Sequence, residues 1–276
     1  MRSMPVTVVT DSAASIPSDL VEELGIVVVP MSVIIGGTVY PDGQLALDEV
    51  MARVSEGVST SGTNPGEFLE AIEPIDGDVV ILTISRQMSS TFEAARTAAN
   101  MAGGKARVLD TGTAAGGQGL VVLAAAEAAA RGEPVDGVVA AAERVIKLVR
   151  LVATVENLDR LIASGRVPGI AALASRWLGM QPLFEFRSGG ARPLRPAFSR
   201  DGAFDRMLAA WRHSTVPGAR LHVAALHAEA EEDAKSLLKQ VTTEVTPATS
   251  FVAPFNSVMV VHTGLGLVGL AWWWER

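Results

Sequence analysis

No cysteine occurs among the 276 residues, which excludes disulfides, thiolate metal ligands and thiol nucleophiles together. Aromatic residues are scarce, 5% of a chain that is 49% apolar, so the interior has to be built mainly from Ala, Val, Leu and Ile. Basic tracts are missing too. With 23 basic residues against 30 acidic ones and no run that could follow a phosphate backbone, nucleic acid is not an expected partner. The four histidines, His213, His222, His227 and His262, fall at no zinc-like spacing with a carboxylate, and neither a structural metal nor a cofactor is expected. The opening "MRSMPVTVVTDS" passes from one Arg into a β-rich run with no room for a leader's apolar region, which suggests a cytoplasmic protein. Near the other end, the uncharged stretch "SVMVVHTGLGLVGLAWWW" (257–274) approaches the length of a membrane span. Its glycines and central His262 argue instead for two strands around a tight turn, so no stable membrane insertion is expected.

Nucleotide and hydrolase signatures are also absent. Neither GxxxxGK[ST] nor GxGxxG follows a strand, "GTAAGGQG" (112–119) matches neither spacing, and the nucleophile elbow GxSxG does not occur.

What is present is an alternation of apolar runs and helix-like segments. "VTVVT" (6–10), "IVVVPMSVII" (26–35), "VVILTIS" (79–85) and "ARVLDT" (106–111) read as strands. "SDLVEELG", "NPGEFLEAI", "SSTFEAARTAANMAG" and "GGQGLVVLAAAEAAARG" read as helices between or after them. Uniformly apolar strands separated by helices predict an N-terminal, mostly parallel sheet flanked by helices, with ligands beyond the carboxyl ends of its strands. The second half predicts a mixed sheet with helices. Its strands fall within 148–158, 180–186, 220–228 and 249–255, followed by the C-terminal pair, with a hairpin turn over 187–193. Helices are expected at "GIAALASRWLG", "DGAFDRMLAAWRH" and "AEEDAKSLLKQV". The fold class is therefore α/β in two domains, residues 1–150 and 151–276, with the boundary within 145–155.

Hydroxyl groups crowd two turns, and capping accounts for part of them. Asn64, Pro65 and Glu67 complete one helix start as N-cap, first helical residue and capping-box partner, which leaves Thr60 and Ser61 surplus. In "SSTFE", Ser90 with Glu93 fits a second capping box, leaving Ser85, Ser89 and Thr91 unassigned. Neutral donors ringed around helix amino termini suit an oxyanion.

"TDSAASIP", "VVVPMSV", "TVYPDG", "TSGTNP", "ISRQMSSTFEAA", "VLDT", "LDRLIASGRV", "GMQPLFEF" and "HTGLG" occur in one order along the chain. That ordered set resembles the DegV family of bacterial fatty-acid-binding proteins over nearly the whole sequence. The resemblance implies a two-domain protein that encloses one long-chain fatty acid between its domains and is not itself an enzyme. Its partner would be a separate fatty acid kinase subunit, to which the carboxylate is presented for acyl-phosphate formation, a step toward phospholipid precursors. The implied ligand-binding residues are Thr60, Ser61, Ser89, Ser90, Thr91 and His262, and Arg166 is implied at the kinase-docking rim. Two departures stand out: Ser89–Ser90–Thr91 replaces the family's usual Ser-Gly-Thr turn, and Gly264–Leu265–Gly266 stands where proline is common.

Magnitudes assign the two ends of such a ligand different jobs. Burying roughly fourteen methylenes at about 0.8 kcal/mol each yields on the order of 11 kcal/mol before ordering costs. Two or three hydrogen bonds to a carboxylate, at about 1.5–3 kcal/mol each and partly cancelled by desolvation, contribute less. The tail therefore supplies affinity and the hydroxyls set direction. The rival reading is an acyl or phosphoryl transferase using Ser89 or His262, and a third is a lipid-free docking protein.

Overall fold

The computed structural model describes residues 6–156, 158–166, 179–187 and 190–276. In chain order, β1 (Val6–Asp11) and β2 (Val27–Val29) precede a small antiparallel sheet of β3 (Ser32–Ile35), β4 (Thr38–Pro41) and β5 (Val58–Ser61). β6 (Asp78–Thr83) and β7 (Ala106–Asp110) then complete a parallel sheet of order β2-β1-β6-β7. The second half contributes β8 (Arg150–Thr154), β9 (Leu183–Arg187), β10 (Gly190–Pro193), β11 (Arg220–His227), β12 (Thr249–Pro254) and β13 (Val268–Glu275). These form a mixed sheet of order β10-β9-β8-β13-β11-β12, in which β11 and β12 are parallel and the other pairs antiparallel.

The helices of the first half are α1 (Ser18–Glu23), α2 (Leu47–Ala52), α3 (Pro65–Ile72), α4 (Thr91–Met101), α5 (Ala115–Ala130) and α6 (Val135–Leu148). Those of the second are α7 (Asp159–Ala163), α8 (Arg200–Arg212), α9 (Glu231–Glu244) and α10 (Ser257–Thr263). No helix among the described residues is long and apolar enough to cross a membrane. Most of the helix expected at 169–179 lies outside the described residues, as do Ser188 and Gly189 of the expected hairpin. Around that gap β9 and β10 pair antiparallel, with Gly190 opposite Arg187.

Two expectations change. The run 26–35 is two strands in two different sheets, because Pro30 has no N–H to continue a ladder and the chain turns there. The C-terminal stretch is a helix and a strand rather than two strands. Asn256 caps α10 by accepting a hydrogen bond from the Met259 N–H (3.0 Å), which commits the short apolar run that follows to a helix. Gly264 and Gly266, both at positive φ (+78° and +77°), then make the reversal into β13.

α5 organises the interior. It packs on β1 and β6 of the parallel sheet and on β8, β11 and β13 of the mixed one, and it is apolar almost all round, as a helix enclosed on every side must be. Its glycines permit that approach. A Cβ on Gly116 would fall onto Leu226 of β11, and one on Gly119 would lie 2.8 Å from the Ala14 carbonyl oxygen. "GTAAGGQG" thus serves helix-to-sheet packing. Gln118, on the same helix, is fully buried and donates to Thr10 Oγ1 (3.0 Å) and Asp11 Oδ1 (3.1 Å). Asp11 also accepts from the backbone N–H groups of Ala13 and Ile84, so one carboxylate ties β1, the end of β6 and α5 together. Complete burial raises its pKa to about 6 in spite of these bonds.

Candidate functional site

The cavity at the centre of the site forms where β5, the turn after β6, α7 and α10 meet. On β5, side chains alternate between faces, so Thr60 points into this space while Ser61, paired with Ser32 across the ladder, is off its lining. α10 is anchored at its start by Asn256, which also donates to the Ser12 carbonyl (2.6 Å), and it packs against β3, β5 and α7. That bracing sets His262, in its last turn, against Thr60: Nε2 and Oγ1 are 2.6 Å apart. The His262 pKa is lowered to about 4, first by burial and then by the nearby Arg166 charge, so the ring is neutral at pH 7.

Across the cavity lies Ser89. Its Oγ accepts from the Thr91 N–H (3.3 Å) and is 2.8 Å from Thr91 Oγ1. Thr91 is buried behind it. The capping box expected from Ser90 and Glu93 does not form. Ser90 has a helical backbone (φ −74°, ψ −2°) instead of the extended one that aims an N-cap side chain, and Glu93 pairs with Arg96 instead. Ser90 is exposed and lies off the cavity, so its replacement of the family's usual glycine puts no Cβ into the space.

Gly62 does sit at a close approach. A Cβ there would lie 2.6 Å from Ser89 Oγ and nearer still to Thr91 Oγ1, so glycine lets the two hydroxyl-bearing turns meet. The sequence marks Gly62 only as part of a turn that departs from the family's usual pattern and assigns it no role, although "TSGTNP" holds the signal of a glycine between hydroxyls. Sequence reasoning passed over the apolar lining, which includes Met31, Met88 and Met259 together with Ile84, Leu161 and Val258. The cavity measures about 40 Å³. Arg166 reaches its edge, donates through Nη1 to the Ser164 carbonyl (2.9 Å), and has its pKa lowered by partial burial.

The structure therefore brings Thr60, Ser89, Arg166 and His262 onto one cavity, places Thr91 behind Ser89, and leaves Ser61 and Ser90 off its lining. Arg200, a further cation of the second half, is committed elsewhere: it donates to Asp233 (2.7 Å) and to the Gly266 carbonyl (3.0 Å). His222 stacks on Trp273 (centroids 4.4 Å apart) and bonds Thr249 and Glu275, and His213 bonds the Ala209 carbonyl, both as ordinary structural histidines.

Residues 5–275 match the family described as "Uncharacterised protein, DegV family". The chain belongs to the DegV family. A DegV domain-containing protein of Streptomyces coelicolor is 33% identical over 279 residues, covering 97% of this chain and 98% of its own. Among solved structures, a DegV family protein from Thermus thermophilus described by its fatty acid binding superposes with a TM-score of 0.90 at 29% identity, covering 98% of this chain and 99% of that one. DegV of Bacillus subtilis, described as a fatty acid binding protein, gives 0.87 at 25% identity, covering 99% and 100% respectively. The α/β architecture of a parallel and a mixed sheet is thus the DegV fold.

Proposed function

We propose that this DegV protein is a cytoplasmic carrier that encloses one long-chain fatty acid between an N-terminal unit (residues 1–150) and a C-terminal unit (151–276). It presents the lipid carboxylate to a partner kinase. The observation that carries the reading is the pair of hydroxyls on the cavity, each braced by a partner behind it. The Thr91 N–H donates to Ser89 Oγ, and with the Thr91 hydroxyl turned to donate as well, the Ser89 proton is free to point at a carboxylate. In the tautomer with hydrogen on Nε2, His262 does the same for Thr60. Two neutral donors orient a carboxylate while Arg166, at the cavity's edge, spends a donor on the Ser164 carbonyl, a looser hold than a bidentate arginine clamp and one that suits a group that has to be handed on.

The chemistry is then simple to balance. A carboxylate oxygen bonds to the terminal phosphorus of a nucleoside triphosphate as the bond from that phosphorus to the departing diphosphate breaks, and no proton is exchanged. The kinase supplies the triphosphate. This chain supplies direction. A transferase reading draws no support from the geometry, because Ser89 is paired with Thr91 and no hydrogen bond joins it to His262 among the described residues.

The cavity of about 40 Å³ falls well below the roughly 300–1,000 Å³ common for ligand pockets. Enclosing a tail therefore requires its lining to move, and three unbranched, flexible methionines there are suited to that. Native mass spectrometry of protein purified from a lipid-containing host tests the proposal. A mass increment of one fatty acid, released by extraction, is expected; a clean protein mass with no extractable lipid refutes it.

A further inference from the structure

A second space, of about 440 Å³, opens where the two halves of the chain meet, and its size is that of a small-molecule pocket. One wall is the connection from β1 to α1, with Ser12, Ser15, Ile16 and Asp19, joined by Val28 of β2. The other is the end of β12, with Val252 and Pro254, and Asn256 beyond it. The space thus lies at the carboxyl ends of β1 and β12, where α/β sheets take ligands.

Ser15 is the residue there that needs a reason. It follows a single 3₁₀ turn, Ser12–Ala14, in the left-handed conformation (φ +48°, ψ +49°), which strains any residue that carries a Cβ. Its Oγ is buried and meets no hydrogen-bond partner among the described residues. A glycine would avoid both penalties. Backbone strain and an orphan hydroxyl in one residue, on the wall of an open pocket, point to a partner from outside the chain.

Charge narrows the class of that partner. Asp11 and Asp19 are the charged residues of the lining, and no Lys, Arg or His joins them. Asp11 is bonded to internal donors, whereas Asp19 is exposed and forms no ion pair among the described residues. An anion is repelled by such a lining, which excludes a second fatty acid, while a cation finds acceptors and an apolar body finds Ile16, Val28 and Val252.

The same wall holds the lipid cavity in shape. Met31, Val258 and Met259 line that cavity, and their backbone N–H groups donate to Ser12 Oγ (3.1 Å), Asp42 Oδ1 (3.5 Å) and Asn256 Oδ1 (3.0 Å). Ser12 in turn donates to Asp42 (2.7 Å), and Asn256 donates to the Ser12 carbonyl (2.6 Å). Ser12 and Asn256 therefore border the second space and anchor the lining of the first. We infer that the space between β1 and β12 is a regulatory site for a small amphipathic amine, with its ammonium at Asp19 and Ser15, and that its occupancy opposes filling of the lipid cavity. A tail entering that cavity has to push Met31, Val258 and Met259 outward, and a ligand seated against their anchors resists the movement. The amine site stands apart from the fatty-acid reading; the coupling rests on it.

The test uses octylamine, octanol and octanoate, which share one alkyl chain and differ in head group, on full-length protein in the presence of saturating palmitate. Amide NMR is expected to show saturable octylamine binding that moves the Ile16, Val28 and Val252 signals, about threefold weaker binding of octanol, and none of octanoate at that place. Asp19→Asn should bring octylamine level with octanol. Ser15→Gly should leave Tm no lower, because the strained backbone relaxes, yet weaken octylamine by about fivefold, a combination that a purely structural serine does not give. On lipid-free protein the apparent Kd for palmitate should rise with octylamine and level off about fivefold higher, since coupling between two sites saturates and competition for one cavity does not. Octanoate seated in the same place as well as octylamine, or no octylamine binding by protein that holds palmitate, overturns the site. A palmitate Kd that stays unchanged, or that climbs without a plateau, overturns the coupling. Failure to hold palmitate while octylamine still binds would be the failure of the fatty-acid reading, a different result from either.

Discussion

Thr60 and His262 are separated by 202 positions in the chain, yet Thr60 Oγ1 and His262 Nε2 stand 2.6 Å apart on the lining of the cavity. One comes from the edge of a three-stranded sheet and the other from the last turn of a capped helix. Neither the Thr60 hydroxyl nor the His262 imidazole carries a net charge at pH 7, so this pair acts on a head group through hydrogen-bond direction, while charge at the cavity's edge comes from Arg166.

The first prediction follows from that division of labour. Thr60→Val and Ser89→Ala each remove one donor and leave the apolar lining intact. Each is expected to weaken fatty-acid affinity by about tenfold or more, while co-purified lipid remains near one per chain because the tail dominates binding. Acyl-phosphate formation with the kinase should drop further than occupancy. Loss of bound lipid in step with activity would contradict a tail-held, hydroxyl-aimed ligand.

His262 supplies a pH test. Its folded-state pKa of about 4 lies below the ordinary value of 6.5, so its neutral form is favoured by folding. The stability it contributes is present above about pH 6.5 and is lost as pH falls toward 4. Ring-nitrogen NMR shifts should therefore stay at their neutral values from pH 7 down to about pH 5, with fatty-acid occupancy constant over the same interval. A ring that titrates near 6.5 would show that burial and the Arg166 charge do not act on it as described.

Asp11 behaves in the opposite sense. Its folded-state pKa is raised from 3.8 to about 6 by complete burial. The associated stability is present below about pH 4 and declines as pH rises through 6, by on the order of 3 kcal/mol. Denaturant unfolding of wild type and Asp11→Asn at intervals from pH 4 to 7 measures it: the stability difference, wild type minus variant, should fall across this window and then level off. A flat difference would mean that the carboxyl is not buried in the way described.

Gly62 and Ser90 form a contrasting pair. Gly62→Ala places a methyl group on the Ser89 and Thr91 hydroxyls and is expected to cost about 1–3 kcal/mol of stability and to reduce lipid occupancy. Ser90→Gly, at an exposed position with an ordinary backbone, should leave occupancy within about twofold of wild type. Thermal melts and extraction of bound lipid from both variants decide the point, and a large effect at Ser90 would shift the site to that turn.

Much of the fold was legible because local signals agreed with each other. β1, β6 and β7 stood out as apolar runs, and α3 carried its capping box in plain view, with Asn64 accepting from the Gly66 and Glu67 N–H groups and the Glu67 side chain accepting from the Asn64 N–H. Composition also announced a core of small aliphatic residues. Failures came where a short apolar run fits two periods. "SVMVV" reads equally as strand or helix until Asn256 is recognised as a cap, and 26–35 hid a change of sheet at Pro30. At the site, hydroxyl-rich turns could be named from the sequence, but which hydroxyls face inward could not. Strand alternation separates Thr60 from Ser61, and a single backbone conformation separates Ser89 from Ser90. The Gly62 contact and the methionine lining depend on residues far apart in the chain, and no local pattern encodes them.

The all-round apolar surface of α5 has a last consequence. Because β8, β11 and β13 pack on it from the second half of the chain, a fragment ending near residue 148 would leave the part of that alanine-rich cylinder they cover bare to water. Such a piece made alone should cling to itself or to chaperones until the strands of the second half are supplied.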